Sequence, residues 1–429
     1  MGSIWKFPYE LGSNGGGGFL LVYLLGLAIV VMPLMLAEFA LGRRGGADPV
    51  TSIAAIAAAS RRCVHWRVIG VLGILTGFLI LSYYSVIGGW TLGYAIDTLT
   101  RGMPGADPAA VQARFDLFLS DPVQMAAFHA AFMAATALIV SRGIAGGIEL
   151  AARILMPVLV VIMIGLAIYA SIAGDLGATL RYLLRPDWSR LTGAAVLDAL
   201  GLGFFSIGVG LGLMLTFAAY SAKDVDLREV AIASVVGDTL ISLLAGLAVF
   251  PIVFANGLNP ASGPGLVFVT LPIAFAGMPF GGVAAIAFYL LLFVAALASA
   301  ISVLELCVAM LIRRLGWSRK RATMLAALSC YIAGLGSVLS FNRWSNWHPL
   351  EPLGIFRDAT LYDILDWLTS NAMLPAGGLL IALFAGWVAA PGLLADELRL
   401  GARATSLLRW LLRWLVPAAI LIIVIAGLG

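Results

Sequence analysis

Five glycines interrupt one apolar segment of the chain, LGLGFFSIGVGLGLMLTFAAY at residues 200–220. They stand at positions 201, 203, 208, 210 and 212, inside a stretch that is otherwise long enough to cross a bilayer. Glycine costs about 1 kcal/mol per helix-interior position relative to alanine, so five of them favour an unwound break. Close helix–helix packing through small residues is the alternative interpretation of the same pattern.

The composition indicates the environment of this segment. Of the 429 residues, 62% are hydrophobic and only 11% are charged, whereas soluble domains carry about a quarter charged residues. Apolar runs of about 20 residues recur along the chain, and they are continuous rather than alternating, which excludes a β-barrel. The sequence therefore predicts an all-α polytopic membrane protein. The net charge of +4 indicates loop arginines at an anionic lipid surface rather than nucleic-acid binding.

Ten spans are predicted from the apolar runs and the loops between them. They cover residues 19–41, 68–99, 123–140, 148–172, 194–220, 230–254, 283–312, 322–339, 364–388 and 407–425. A short helix at 4–11 precedes them and is too brief to cross alone. Alternate loops carry most of the basic residues, so these loops are predicted to be cytoplasmic. We expect a multi-pass protein of the cell (inner) membrane with its C-terminus on the outer side.

A second break is predicted at the start of the chain, in GSIWKFPYELGSNGGGGF at 2–19. Irregular backbone at bilayer depth survives only where it lines a cavity or is buried in protein. The two breaks lie about 200 residues apart, and each is followed by four further spans, which indicates a five-plus-five repeat. Half-helix ends at such breaks suit a substrate carboxylate and Na⁺, so the pattern predicts a secondary transporter.

These segments resemble the signatures of the neurotransmitter:sodium symporter family. The opening stretch is similar to the family pattern G-N-x-W-R-F-P…N-G-G-G-x-F. The likeness continues in order through PLMLAEFALGRRGG (33–46), YYSVIGGWTLGYAI (83–96), FFSIGVGLG (204–212), ALASAISVLE (296–305), SRKRA (318–322) and LYDILDWLTSNAMLP (361–375). It covers essentially the whole chain, and the end of the chain resembles the bacterial eleven-helix branch.

The resemblance implies a fold and a division of the chain. One transmembrane transporter domain would cover 1–429, with an inverted five-plus-five (LeuT-like) repeat in which helices 1 and 6 are broken. The first repeat would cover 1–173, the second 194–391, and an eleventh helix 404–429. It also implies an inner half of helix 1 upstream of Met1; we expect that the start codon was assigned too late, with a genuine fragment as the alternative.

The resemblance also implies a substrate site. Tyr84 matches the position whose hydroxyl binds the substrate carboxylate, although an aromatic side chain buried in a bundle is the plainer interpretation of that tyrosine. Phe205 matches the aromatic lid. The other implied binding residues are Gly2, Ile80, Gly208, Leu211, Ser299 and Val303. Because Gly208 and Leu211 replace a serine and an aromatic of some members, we expect a roomy apolar pocket for a bulky hydrophobic or aromatic amino acid.

Two sodium sites are implied in the same way, and Na⁺ would be the coupling ion with no organic cofactor. The first site is implied at Ser3, Ser206 and Asp238. Ser3 replaces the usual asparagine, and the Asp238 carboxylate resembles the fixed charge that stands in for a halide in chloride-independent members. The second site keeps Ala295 and Ser299, but Ala298 replaces a threonine and removes one oxygen ligand.

The gates are implied less completely. Lys6 and Asp366 match the outer ion pair, and Tyr220 matches an inner-gate residue. Arg313 stands where the cytoplasmic gate acid is expected, so that pair is not found. Glu305 is interpreted as a hydrogen-bonded packing acid within its span.

The leading hypothesis is a sodium-coupled amino-acid symporter embedded in the lipid bilayer. The alternative is a truncated or degenerate member that binds an amino acid without coupled transport. An enzyme is disfavoured because the acids within the spans, such as Glu38, are isolated rather than clustered at metal-ligand spacing. The expected partners are a small-molecule amino acid and lipid, with no nucleic acid, and a homodimer is left open.

Overall fold

The computed structural model describes residues 2–105, 107–258, 266–353 and 356–428, and almost all of its regular structure is helical. A π-helical segment, Gly2–Lys6, leads into the first α-helix. The helices are α1 (Phe7–Ser13), α2 (Gly17–Gly45), α3 (Pro49–Ala59), α4 (Val64–Arg101), α5 (Pro108–Ser120), α6 (Pro122–Ser141), α7 (Ile144–Ala173), α8 (Leu176–Leu184), α9 (Gly193–Ile207), α10 (Leu213–Tyr220), α11 (Leu227–Ala255), α12 (Val267–Ala276), α13 (Gly281–Leu315), α14 (Arg319–Ser340), α15 (Leu361–Val388), α16 (Leu393–Leu398) and α17 (Ala402–Ile425).

Nine helices in the described part of the chain are long and apolar enough to cross a membrane. They are α2, α4, α6, α7, α11, α13, α14, α15 and α17. Nine of the ten predicted spans are therefore found as continuous helices. The tenth, predicted at 194–220, consists of two short helices, α9 and α10, because the chain unwinds between Ile207 and Leu213.

Three of the five glycines cause this break. Gly208, Gly210 and Gly212 have φ angles of +76°, +91° and +78°, in the left-handed region that other L-residues adopt only at a steric cost. At Gly210 a β-carbon would also lie 2.6 Å from the carbonyl oxygen of Leu374. The unwound segment therefore follows from the local sequence, and it brings the backbone close to α15.

The order of the helices supports the predicted five-plus-five arrangement. The half-length helix α1 is followed by the spans α2, α4, α6 and α7, and the broken pair α9–α10 is followed by α11, α13, α14 and α15. The span α17 then packs against α15. In the interior α4 packs along α13, while α10 packs against α2. The break between α9 and α10 consequently lies next to the most buried helices.

Aspartates fix the starts of several helices. Asp121 accepts hydrogen bonds from the backbone N–H groups of Val123 and Gln124, both at 3.0 Å, and so caps α6. Asp226 caps α11 and is also held by the Arg228 guanidinium, which keeps the pKa of this carboxyl well below its usual range. Such caps satisfy backbone groups that a helix leaves unpaired at its first turn.

Candidate functional site

A cavity of about 230 Å³ lies where the start of the chain and the break between α9 and α10 meet α4 and α13. All eight residues that the resemblance implies for substrate binding line it: Gly2, Ile80, Tyr84, Phe205, Gly208, Leu211, Ser299 and Val303. Gly2 is packed tightly, because a β-carbon there would lie 3.0 Å from Cδ1 of the Phe205 ring. The start of the chain and the end of α9 thus form one wall of the cavity.

The Tyr84 hydroxyl is the clearest polar feature of this cavity. Its oxygen is buried and forms no well-aligned hydrogen bond with any described residue, and the Ser299 side chain is its polar neighbour. The neighbouring Tyr83 differs, since its hydroxyl lies 3.0 Å from Oγ1 of Thr369, away from the cavity. A buried hydroxyl without a partner costs about 1–3 kcal/mol. The Tyr84 hydroxyl is therefore available to donate a hydrogen bond to a ligand that enters the cavity.

Seven lining residues have no counterpart in the residues expected from the sequence: Leu81, Ile207, Leu213, Met214, Phe217, Ser302 and Leu374. Four of them show what the sequence could and could not indicate. Met214 and Phe217 lie on one face of α10, Ser302 follows the predicted Ser299 by three residues, and Leu374 comes from α15. The first three could have been found from helical spacing next to predicted residues. Leu374 carries no such signal, because only tertiary packing brings α15 to the break.

A second polar cluster lies behind the cavity wall. The Ser3 hydroxyl donates to Oδ1 of Asp238 at 2.6 Å and lies 2.7 Å from the Ser206 hydroxyl, which itself donates to Oδ1 of Asp238 at 2.5 Å. Tyr23 donates to the other carboxylate oxygen at 2.6 Å. No Lys, Arg or His in the described ranges forms an ion pair with Asp238. The structure thus joins the three residues implied for the first sodium site and adds Tyr23.

The residues implied for the second sodium site lie one turn apart on α13. The Ser299 hydroxyl donates to the carbonyl oxygen of Ala295 at 3.1 Å. Ala298 offers only its carbonyl, which accepts a hydrogen bond from the Ser302 hydroxyl at 3.3 Å. This part of α13 therefore supplies one hydroxyl and a small number of carbonyl oxygens.

The pair implied for the outer gate, Lys6 and Asp366, is not joined in this structure. The Lys6 ammonium lies 4.7 Å from the centre of the Phe205 ring, and within the described ranges it forms no ion pair with Asp366. The Asp366 carboxylate instead accepts a hydrogen bond from Ser370 at 3.4 Å. Lys6 and Phe205 also line a second cavity of about 360 Å³. The cavity that Tyr84 lines and this second cavity meet at the Phe205 ring.

Tyr220, the residue implied for the inner gate, contacts an ion pair that the sequence interpretation missed. The Tyr220 hydroxyl donates to Oε1 of Glu305 at 3.0 Å. The Arg319 guanidinium donates to both carboxylate oxygens, at 2.7 and 2.9 Å, and to the carbonyl of Val140 at 3.1 Å. Glu305 is fully buried, so interpreting it only as a packing acid is insufficient. Arg313 is exposed and forms no ion pair with any described residue.

Glu38 connects the break in α9–α10 to α2. One of its carboxylate oxygens accepts a hydrogen bond from the backbone N–H of Gly210 at 2.6 Å, and its side chain is fully buried. A buried carboxylate of this kind stabilises a backbone N–H that unwinding leaves without a helical partner. Glu38 therefore supports the break rather than acting as an isolated acid.

Comparison with known proteins supports this interpretation of the geometry. The model of the sodium:neurotransmitter symporter family matches residues 1–113 and 119–427. An uncharacterized sodium-dependent transporter of Bacillus subtilis (strain 168) is 35% identical over 433 residues, covering 100% of this chain and 94% of the relative. A second one, from Methanocaldococcus jannaschii, is 32% identical over 408 residues, covering 90% of this chain and 78% of the relative.

A solved structure gives the same result in three dimensions. The crystal structure of MhsT in complex with L-phenylalanine superposes with a TM-score of 0.89 and 38% sequence identity. The match covers 99% of this chain and 95% of the MhsT chain. The fold is therefore the LeuT-like inverted repeat. The break between α9 and α10 lies where the glycines predict it, whereas the predicted irregular backbone at the start is helical, since Gly2–Lys6 continues directly into α1.

Proposed function

This chain belongs to the sodium:neurotransmitter symporter family, and on that premise we propose that it is a Na⁺-coupled amino-acid symporter. It carries a bulky hydrophobic or aromatic amino acid by alternating access, together with Na⁺ moving down its gradient. The observation that carries the proposal is the buried Tyr84 hydroxyl, which forms no well-aligned hydrogen bond with any described residue, in a cavity between the start of the chain and the broken α9–α10 pair. The transporter lies in the cell (inner) membrane, and its basic loops face the cytoplasm.

The cavity offers a partner to each end of an amino acid. The last turn of a helix leaves carbonyl oxygens without intrahelical partners and carries the negative end of the helix dipole. Because α9 ends at Ile207 on the cavity wall, it suits the substrate ammonium group. The Tyr84 hydroxyl, across the cavity on α4, donates to the carboxylate. These two contacts orient the α-carbon and leave the side chain pointing toward the remaining wall.

The wall that receives the substrate side chain is apolar and spacious. It is formed by Ile80, Leu211, Met214, Phe217 and Val303. Gly208 adds no side chain there, and the cavity volume of about 230 Å³ corresponds to roughly eight water molecules at about 30 Å³ each. A large apolar side chain gains the most from displacing this water. The phenylalanine complex of the similar MhsT supports the same substrate class.

Sodium binds, in this proposal, at the cluster of Ser3, Ser206 and Asp238. Hydroxyl and carboxylate oxygens are the ligands that hard cations prefer. A carboxylate within a membrane protein that has no basic partner among the described residues is itself expected to bind a cation or mark an ion pathway. The same negative charge replaces a halide, so transport is independent of chloride. Ala295 and Ser299 contribute to a weaker second site.

Alternating access requires that one side of the cavity closes while the other opens. The contact of Tyr220 with the Glu305–Arg319 ion pair ties α10 to α13 and α14 on the cytoplasmic side, so we assign it to the inner gate. On the outer side Lys6 approaches Asp366 once substrate is bound and the Phe205 ring closes over it. The absence of that ion pair from the described contacts is consistent with an outward-open arrangement.

A second function, binding without coupled transport, is favoured by one observation. Ala298 lacks the hydroxyl that the family has there, and the second sodium site keeps few oxygen ligands. A protein with such a site would bind an amino acid at the Tyr84 cavity but would not move it against a gradient. This function would make the protein a sensor rather than a transporter.

Uptake into proteoliposomes separates the two functions. Radiolabelled phenylalanine, leucine and alanine are offered with an inward Na⁺ gradient, and K⁺ replaces Na⁺ in the reference sample. Symport predicts accumulation of phenylalanine or leucine above the outside concentration, only with Na⁺, and much less alanine. Saturable binding without accumulation in vesicles would refute the symport proposal and support the binding function.

A pair of adjacent tyrosines provides the site control. Tyr84→Phe removes the cavity hydroxyl and should weaken apparent substrate affinity about 10- to 100-fold, the range for one hydrogen bond to a charged group. Tyr83→Phe removes a hydroxyl that contacts Thr369 outside the cavity and should leave affinity within about threefold of the unmodified protein. Equal effects of the two substitutions would refute the placement of the substrate carboxylate.

A further inference from the structure

An apolar groove on the lipid-facing surface lies outside the transport site. It has a volume of about 410 Å³ and is formed by α3, α4, α13 and α14. Its sides include Val71 and Leu75 on α4 and Leu325 on α14, which are 50%, 48% and 42% exposed. The floor includes Ala326, which is buried. The groove is therefore open toward the acyl chains of the bilayer, and a small side chain provides its depth.

One end of the groove carries a cation. Cys307, Met310, Leu311 and Arg314 line it at helical spacing along α13, so this wall extends for about 10 Å at 1.5 Å per residue. Arg314 lies one residue before the end of α13 and is exposed. The groove thus begins in the apolar interior of the bundle and ends at a guanidinium near the membrane surface.

The charge at this end has no counterpart within the protein. Arg43 and Arg44 are paired with Glu397 and Asp396, and Arg319 is paired with Glu305. Arg314 forms no ion pair or hydrogen bond with any of the described residues. The segment 313–321 that contains it has five basic residues and no acidic one. The groove end is consequently complementary to an anion that comes from outside the chain.

We propose that this groove binds an anionic phospholipid of the cytoplasmic leaflet. One acyl chain lies between α4 and α14, and the phosphate accepts hydrogen bonds from Arg314. Basic pockets between membrane helices on the cytoplasmic side suit anionic headgroups, and a guanidinium can bind phosphate through two parallel hydrogen bonds. The site is separate from the substrate cavity, so the lipid proposal is tested independently of the symport proposal.

Native mass spectrometry of the full chain in detergent tests the site. Phosphatidylglycerol and phosphatidylcholine with the same oleoyl chains are titrated separately, and the first bound lipid is quantified. We expect the anionic lipid to bind about fivefold more tightly, the factor that one surface arginine contributes. Arg314→Gln should abolish this preference. Arg321→Gln is the matched control, since Arg321 lies in the first turn of α14 and stacks on Trp317 without lining the groove, and it should keep the preference.

A groove-filling variant tests the acyl chain. Ser329→Phe places a ring in the groove and should weaken binding of both lipids at least fivefold. If this variant does not fold, the comparison of Arg314→Gln with Arg321→Gln still decides the headgroup assignment. The proposal is overturned if the two arginine variants lose the preference equally. It is also overturned if folded Ser329→Phe binds lipid normally, if oleate alone binds regardless of Arg314, or if a second copy of the chain occupies the surface instead of lipid.

Discussion

Under the proposed inner-gate assignment, the Glu305–Arg319 ion pair that Tyr220 contacts determines how tightly the cytoplasmic side is closed. Glu305 is fully buried, and its carboxylate accepts two hydrogen bonds from Arg319 and one from Tyr220. Glu305→Gln removes the negative charge but keeps the size of the side chain. Hydrogen bonds to charged groups are worth about 1.5–3 kcal/mol each, and the Arg319 side chain is 23% exposed, so we take about 2 kcal/mol for the whole contact. That value corresponds to about a thirtyfold shift toward the inward-open state.

Cysteine labelling from the cytoplasmic side measures this shift. Phe217 lines the substrate cavity one turn before Tyr220, so a cysteine introduced there becomes reachable when the inner gate opens. The background carries Cys63→Ser, because Cys63 is exposed while Cys307 and Cys330 are buried. In this background Glu305→Gln should raise the labelling rate of Phe217→Cys about thirtyfold in the presence of Na⁺.

A double variant distinguishes gating from general destabilisation. Removing both partners of a buried pair costs less than leaving one charge unpaired, so Glu305→Gln combined with Arg319→Gln should label more slowly than Glu305→Gln alone. A labelling rate in Glu305→Gln within about threefold of the parent protein would refute the gate assignment. Glu305 would then be the packing acid that the sequence alone suggested.

Three further predictions follow from the site. Asp238→Asn removes the fixed charge and should make uptake depend on chloride, measured by replacing chloride with gluconate; uptake that is lost in both salts contradicts the halide-substitution role. Ala298→Thr restores a hydroxyl beside Ser299 and should lower the Na⁺ concentration for half-maximal uptake severalfold, while an unchanged value argues against a second site. Gly208→Ala should lower the melting temperature by several degrees because φ is +76°, whereas Gly201→Ala, where a β-carbon meets nothing within 4 Å, should not.

The break in α9–α10 could be predicted from the sequence because its cause is local. A left-handed φ angle favours glycine, and three glycines at alternate positions leave no continuous helix. The lining residues next to the break follow from helical spacing. The same reasoning does not apply to Tyr23, because its position in the polar cluster around Asp238 depends on how α2 packs against α11. A lone tyrosine in an apolar span gives no indication of that contact.

The gates illustrate why ion pairs are harder to predict than breaks. Glu305 and Arg319 lie in different helices, and their pairing depends on how α13 and α14 pack after the turn between them. The family resemblance instead implied that the cytoplasmic gate acid would stand at the position of Arg313, which is exposed. Lys6 and Asp366 match a family pair, yet in this structure Lys6 contacts the Phe205 ring. An ion pair of a transporter can form in one conformation and be absent from another. The sequence is the same in both, so it does not predict whether a given structure contains the pair.

Under the symport proposal, coupling between ion and substrate would have a direct structural basis in adjacent residues. Gly2 and Phe205 line the substrate cavity, and the next residue in each case, Ser3 or Ser206, hydrogen-bonds Asp238. If either the ion or the amino acid shifts these half-helices on binding, the residues that contact the other ligand therefore move as well. A cation that draws Ser3 and Ser206 toward Asp238 also fixes the wall formed by Gly2 and Phe205, so it reduces the ordering cost of substrate binding. Because linkage is reciprocal, bound amino acid must strengthen Na⁺ binding by the same factor by which Na⁺ strengthens amino-acid binding.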